Sequence, residues 1–359
     1  MAALAAGITS TALSLDPRKT INQYGHDVWL RQNGLSANSI NVSVQTRDGY
    51  IWLGSTAGLL RFDGVSFKAV GTDTEGTRIP ETVSVLCESR DGSLWIGTAY
   101  GGLRCLKDGV VRRYGATEGL PEPQIKVVFE SRAGNLWVGT AYGLFRLVGG
   151  GFVPVPLDQS FVTAIAEDSR GRIWVGTQKG VRIFDDTRGA RLDSLTTANG
   201  LIDEGTSALL GDRQGTVWIG TAHGLARWNN GALTSIHLND GNINEYISAL
   251  CEDRDGSLWV GTRGGLSRLS DGHWAHFETS DGFSHNQIHS ITEDREGNLW
   301  VGTMQGLNRF RDVNIKAYTT REGLSNDYLT GVVETRDGSL YFMSSPNATI
   351  TRFRDGLMT

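Results

Sequence analysis

Residues 254–269 read RDGSLWVGTRGGLSRL, a turn, an apolar run, a second turn and another apolar run in quick succession. The centre of that stretch, W-[LIV]-G-[ST], starts at Trp52, Trp95, Trp137, Trp174, Trp218, Trp259 and Trp300, and returns in worn form at Tyr341. Successive spacings are 43, 42, 37, 44, 41, 41 and 41 residues, and the motif consumes seven of the ten tryptophans. A turn lies upstream, as in Arg47-Asp48-Gly49, Asp91-Gly92, Asp255-Gly256 and Asp337-Gly338. Gly-Leu follows downstream, at Gly58-Leu59, Gly143-Leu144, Gly224-Leu225 and Gly306-Leu307. A second turn comes next, such as Asp63-Gly64, Asp108-Gly109, Asn230-Gly231 or Asp271-Gly272.

Each unit parses as four short strands, in the first copy over residues 39–46, 50–55, 59–62 and 65–70. Asp-Gly and Asn-Gly between apolar, β-branched runs mark hairpins, because those residues accept positive φ at little cost. No stretch carries a sustained 3.6-residue apolar period with caps, which predicts a chain nearly free of helices. Four antiparallel strands per period of about forty-two residues is the signature of a β-propeller blade, whereas open solenoids repeat at shorter periods. The expected fold is therefore all-β, a propeller of four-stranded antiparallel blades. Two closures fit the count. Residues 27–32 (DVWLRQ) sit where an outer strand would end, and residues 350–359 (ITRFRDGLMT) stop just after a third strand. An eighth blade could then take its outer strand from the N-terminus and shut the ring. Alternatively, the irregular eighth unit, Tyr341 to Asn347, opens a second propeller after a ring of seven.

The composition narrows the class. The chain has 359 residues, 39% of them hydrophobic, with 47 glycines and only 7 prolines, which suits a folded, turn-rich core and excludes global disorder. No window approaches 18 apolar residues, so no helical membrane span is expected. A net charge of −5 spread along the sequence leaves no basic stripe for phosphate backbones, and nucleic acid is not an expected partner. Residues 1–15 are apolar and rich in small side chains, the look of a signal-peptide remnant, with the sensor domain expected over 16–359. Cys87, Cys105 and Cys251 form no all-paired framework and read as small apolar residues.

Most recurring letters have structural explanations. The tryptophan fills the wedge between blades, the glycine two residues later allows close strand approach, and an arginine recurs at Arg61, Arg146, Arg227, Arg268, Arg309 and Arg352. Glu88, Glu130, Glu167, Glu252, Glu293 and Glu334 recur at the end of the inner strand; their repetition argues for structure over a metal site. Function on a propeller is expected where the repeat breaks. Loops between strands two and three share one face with the loops that join blades, and the Asp-Gly turns share the other. On the first face the non-repeating residues Tyr100, Tyr142, Lys179, His223, Arg263, Gln305, Tyr246 and His285 are the candidate ligand-binding set. Aromatic, charged and amide side chains around a channel suit a small polar ligand such as a carbohydrate, by stacking and hydrogen bonding. His285 and His289 are four apart, but without a helix and a following glutamate that spacing is no zinc motif. No metal, other cofactor or catalytic residue is expected, and no G-x-S-x-G, P-loop or dinucleotide fingerprint occurs.

These strings resemble the two-component regulator propeller repeats of bacterial periplasmic sensors. RDGSLWVGTRGGLSRL (254–269), REGNLWVGTMQGLNRF (295–310) and RDGYIWLGSTAGLLRFDG (47–64) carry the resemblance, with T-x-G-L between blades at Thr117 to Leu120 and a copy one residue longer at Thr320 to Leu324. It implies a periplasmic, extracytoplasmic ligand-sensing region without catalysis of its own. It also implies a membrane-anchored kinase or cyclase output module as partner, with signalling through a shifted homodimer or interblade geometry. Streptogramin and polysaccharide lyases resemble the same architecture, and for an enzyme of that kind His223 and His285 with a divalent metal are the candidates. A protein-interaction scaffold is the third reading.

Overall fold

The computed structural model describes residues 15–19, 21–70, 82–121, 124–158, 161–236, 246–313, 318–320, 323–345, 348–354 and 357–359. The leader expected over residues 1–15 falls outside that set except for Leu15, which is buried against Ile21, Tyr24 and Trp259. The described residues form eight four-stranded antiparallel sheets, and the helical turns among them are all short 3-10 pieces. Blade 1 runs Ile40–Gln45, Ile51–Ser55, Gly58–Phe62 and Phe67–Val70 from the centre outward. Blades 2 to 6 repeat that order.

Blade 7 decides the closure. Its inner three strands are Ile288–Glu293, Leu299–Thr303 and Gly306–Arg311, and its outer strand is Gly25–Trp29 from the other end of the chain. His26 lies opposite Phe310 in that pairing, with their rings stacked at 4.2 Å. Blade 7 then abuts blade 1: Ser43 and Thr292 exchange hydrogen bonds of 3.0 and 2.9 Å. The ring thus has seven blades. The eighth sheet (Leu329–Glu334, Leu340–Ser344, Thr349–Arg354 and Leu357–Met358) supplies its own short outer strand. The N-terminal strand, whose end the sequence placed at 27–32, closes blade 7 and not the eighth unit. Of the two closures, seven blades followed by a further sheet is the one observed. Hydrogen bonds within that sheet and its lead-in, among them Ser325 N–H to Thr351 and Arg352 to Ser339, hold it together.

Seven apolar clusters fill the seven wedges, each centred on a motif tryptophan. The glycine of Trp-x-Gly is where the next blade comes closest. A Cβ on Gly54 would lie 2.7 Å from Val83 of blade 2, and one on Gly302 would lie 2.9 Å from Ile40 of blade 1, so only glycine fits. Each indole N–H donates to a polar side chain in or beyond the preceding turn. Asp168, Asp212, Asp253 and Asp294 accept from Trp174, Trp218, Trp259 and Trp300 at 2.7–2.9 Å. Trp137 is served instead by Asp186, from the next blade, at 2.7 Å. The recurring arginine sits directly across the hairpin from the tryptophan, as Arg61 from Trp52 and Arg268 from Trp259, and lies over the ring. The three cysteines are free, and burial pushes the thiols of Cys87 and Cys251 up to about 11 and about 12.

Candidate functional site

Every inner strand of the ring carries one extra residue against its neighbour, a β-bulge at the second position. The bulged residues are Asn41, Ser84, Lys126, Thr163, Ser207, Ser248 and His289. A bulge re-aims its side chain, and here the side chain turns toward the following blade. Asn41, Ser84, Thr163, Ser207 and Ser248 donate to the carbonyls of Val83, Ile125, Thr206, Ile247 and Ile288 at 2.5–2.9 Å. Each bond joins one blade to the first inner residue of the next, so the five act as latches round the channel mouth.

Two blades depart from this rule. In blade 3, Lys126 extends over the Phe161 ring at 5.1 Å. In blade 7, His289 reaches blade 1, with Nδ1 3.1 Å from Ser39 Oγ and the Ile40 carbonyl also within hydrogen-bonding reach. Burial, helped by neighbouring His285, pushes the His289 imidazole below its ordinary value against the Ile40 hydrogen bond, so it is neutral at pH 7.

A cavity opens at that departure. About 950 Å³ lies between blades 7 and 1, lined by Arg31, Gln32, Asn38, Ser39, Thr56, Gln287, His289, Met304 and Gln305 with Leu30. A second hollow of about 320 Å³ adjoins it toward blade 6, lined by Asn41, Tyr246, Ser248, Arg263, Gln287, Ile288 and His289. Gln287 and His289 belong to both. Tyr246 and Arg263 form a stacked wall, the guanidinium carbon 4.5 Å from the ring centre.

Three of the eight residues singled out from the sequence meet here: Tyr246, Arg263 and Gln305. The other five do not line it. Tyr100 and Tyr142 stand 77% and 62% exposed on blades 2 and 3, and Lys179 caps its turn on blade 4 through its backbone N–H. His223 pairs with Asp203 on blade 5, which the Gly205 N–H and then the neighbouring imidazole hold below the usual carboxylate range. His285 accepts the Gln287 N–H at 3.0 Å. The two imidazoles proposed for an enzyme thus engage separate partners. Sequence reasoning passed over His289, Gln287 and Ser39. The aligned second position of the inner strand, small and polar in most copies but histidine in blade 7, was the available signal.

The opposite face is accounted for by the ring itself. The inner-strand glutamates take the backbone N–H of the preceding blade's turn: Glu88 from Arg47, Glu252 from Arg213 and Glu293 from Arg254, at 2.8–3.0 Å. Gln45 does the same for Arg295 at 2.7 Å. The turn arginines then reach the next turn's carbonyls, among them Arg213 to Arg254 and Arg295 to Arg47, each at 2.8 Å. Blade 5 has Gly211 in the glutamate's place because a Cβ there would overlap the Glu167 carbonyl. Among the described residues no group of three metal-ligating side chains converges.

The family model for the two component regulator propeller matches residues 78–100, 156–179, 240–264 and 282–305. Blades 2, 4, 6 and 7 thus carry two-component regulator propeller repeats. The extracellular domain of what is described as a one-component system of B. thetaiotaomicron is 20% identical over 93% of this chain, with a TM-score of 0.65. This chain spans 46% of that domain. A streptogramin B lyase is 14% identical over 82% of this chain and 99% of its own, with a TM-score of 0.64. PorZ, a surface component of the type-IX secretion system of Porphyromonas gingivalis, is 16% identical over 88% of this chain and 59% of its own, with a TM-score of 0.59. At these identities the likeness concerns the fold. No curated protein matches the sequence.

Proposed function

We propose that this regulator propeller is the extracytoplasmic, ligand-sensing part of a bacterial signalling receptor, non-catalytic itself, that acts in the periplasm through a membrane-anchored output module. The observation that carries the reading is the cavity at blades 6, 7 and 1, which opens where the latch ring departs from its repeat and His289 replaces a small polar residue. Amide, aromatic and guanidinium groups around one hollow suit a small polar ligand such as a saccharide. The site spans the seam at which the N-terminal strand closes the ring, so an occupant would bear on three blades at once and alter their spacing or a dimer contact. An extracellular-domain relative among the similar structures agrees with that location.

The test is a thermal-shift screen of the purified chain against mono- and oligosaccharides and amino acids, with product analysis alongside. A ligand at a hundredfold excess over Kd stabilises the fold by about 2.7 kcal/mol. The expected result is a raised Tm for one class, abolished by Gln287→Ala, with no product formed. Turnover of the bound compound would establish an enzyme instead, and silence across the panel would leave a protein-interaction scaffold as the better reading.

A further inference from the structure

The chain carries more acidic than basic residues, 39 against 34, and loops joining the blades on the cavity's face carry some of them, Asp203 and Glu204 among these. None of the seven bulged residues is an aspartate or glutamate, and none of the two-residue turns after Gly-[Ser/Thr] contains one. The inner-strand glutamates sit at the opposite end of their strands, committed to the turns of the other face. No described residue lining either hollow is a carboxylate, while Arg31 and Arg263 both are lining residues. Neither arginine has a carboxylate partner among the described residues, and Arg263 holds its guanidinium carbon over the Tyr246 ring. That contact restrains the guanidinium beside the hollow, and its forked N–H donors match a planar or tetrahedral anion such as a carboxylate or sulfate. The neutral His289 lines both hollows without demanding a counter-charge of its own.

We infer that the cavity at blades 6, 7 and 1 receives an anionic group of its ligand, a carboxylate or sulfate borne by a saccharide, anchored by Arg263. The inference rests on the ligand-sensing reading above and narrows it. The test is calorimetric titration of the full chain at fixed ionic strength with three probes: an oligogalacturonide, the neutral galactose oligomer of the same length, and a sulfated disaccharide. The expected result is that an acidic probe binds at least tenfold more tightly than the neutral one and weakens as salt rises. Arg263→Gln should cost that probe at least tenfold, while Arg336→Gln on the eighth sheet leaves it unchanged. The carboxylate and sulfate arms distinguish the two sources of charge. Equal or tighter binding of the neutral oligomer, or no effect of Arg263→Gln, overturns the anion site and leaves saccharide sensing intact. Failure of all three probes to bind overturns both.

Discussion

Trp259, in the second strand of blade 6, is fully buried against blade 7, whereas Tyr341 at the same repeat position of the eighth sheet is only half-buried. Around Tyr341, Val332, Val333 and Ile350 are 58%, 50% and 63% exposed. The two sheets have the same strand order, the same first turn and the same bulge, so that hairpin is specified locally. Burial is not. It comes from the next blade, as in any repeat array whose units cannot cover their own apolar faces. The eighth sheet also departs from the repeat in sequence. Met343 stands where Trp-x-Gly demands glycine elsewhere, and Thr330, the bulged residue, bonds the Met343 carbonyl of its own sheet at 3.3 Å.

The sharpest way to break the comparison is to truncate its two aromatic residues. Trp259→Ala should lower the unfolding free energy of the ring by about 3–5 kcal/mol, the usual cost of emptying a fully buried aromatic site. Tyr341→Ala should cost the ring about 1 kcal/mol or less, because its side chain is only half-buried. Urea titrations followed by tryptophan fluorescence would separate the two; equal losses would mean that the eighth sheet is integral to the ring. The latches give a smaller contrast. Ser248→Ala removes a 2.6 Å bond to blade 7 and should cost about 1 kcal/mol, whereas Thr330→Ala should stay within about 0.5 kcal/mol.

A pH titration gives the subtlest difference. Asn308 donates its amide to Ser284 Oγ and the Val301 carbonyl, which turns its Oδ1 toward His26 and makes His26 Nε2 the donor at 3.2 Å. Burial holds the His26 imidazole below its ordinary value of 6.5, so the neutral ring belongs to the fold. Its contribution is intact above pH 6.5 and is lost as the pH falls below that value toward the lowered one, because the unfolded chain takes up the proton first. His289 acts with the same sign. Thermal melts of the ring between pH 7.5 and 5 should therefore show a falling Tm, and His26→Phe should flatten part of the slope. A slope unchanged by that substitution would assign it to other groups.

The sequence made the repeat legible because tryptophan, glycine and the Asp-Gly turns are each required by local geometry. Blade architecture, the buried tryptophans and the structural role of the glutamates all follow from that. Closure was harder. Whether Gly25–Trp29 pairs with the seventh or the eighth unit depends on a contact between distant segments that no local pattern encodes. The site was legible only in part. Arg263, Tyr246 and Gln305 stand out as non-repeating loop residues, but so do Tyr100 and Tyr142, and nothing local distinguishes a solvated loop tip from a cavity wall. His289 was hidden for the opposite reason: it lies within a strand, where a residue reads as scaffold until the bulge that turns it is seen.

The order in which the ring can be made follows from its seam. Gly25–Trp29 leaves the ribosome among the first residues of the ring, yet its partner strand holds Asn308, 282 residues after His26. At about 5–20 residues per second, that first strand waits roughly 15–60 s for a partner, while six blades assemble beside it. Through that interval the growing arc has two open ends and an unpaired strand, the condition in which a neighbouring chain could donate the wrong closing segment. Protection of nascent chains should matter most just before blade 7 emerges.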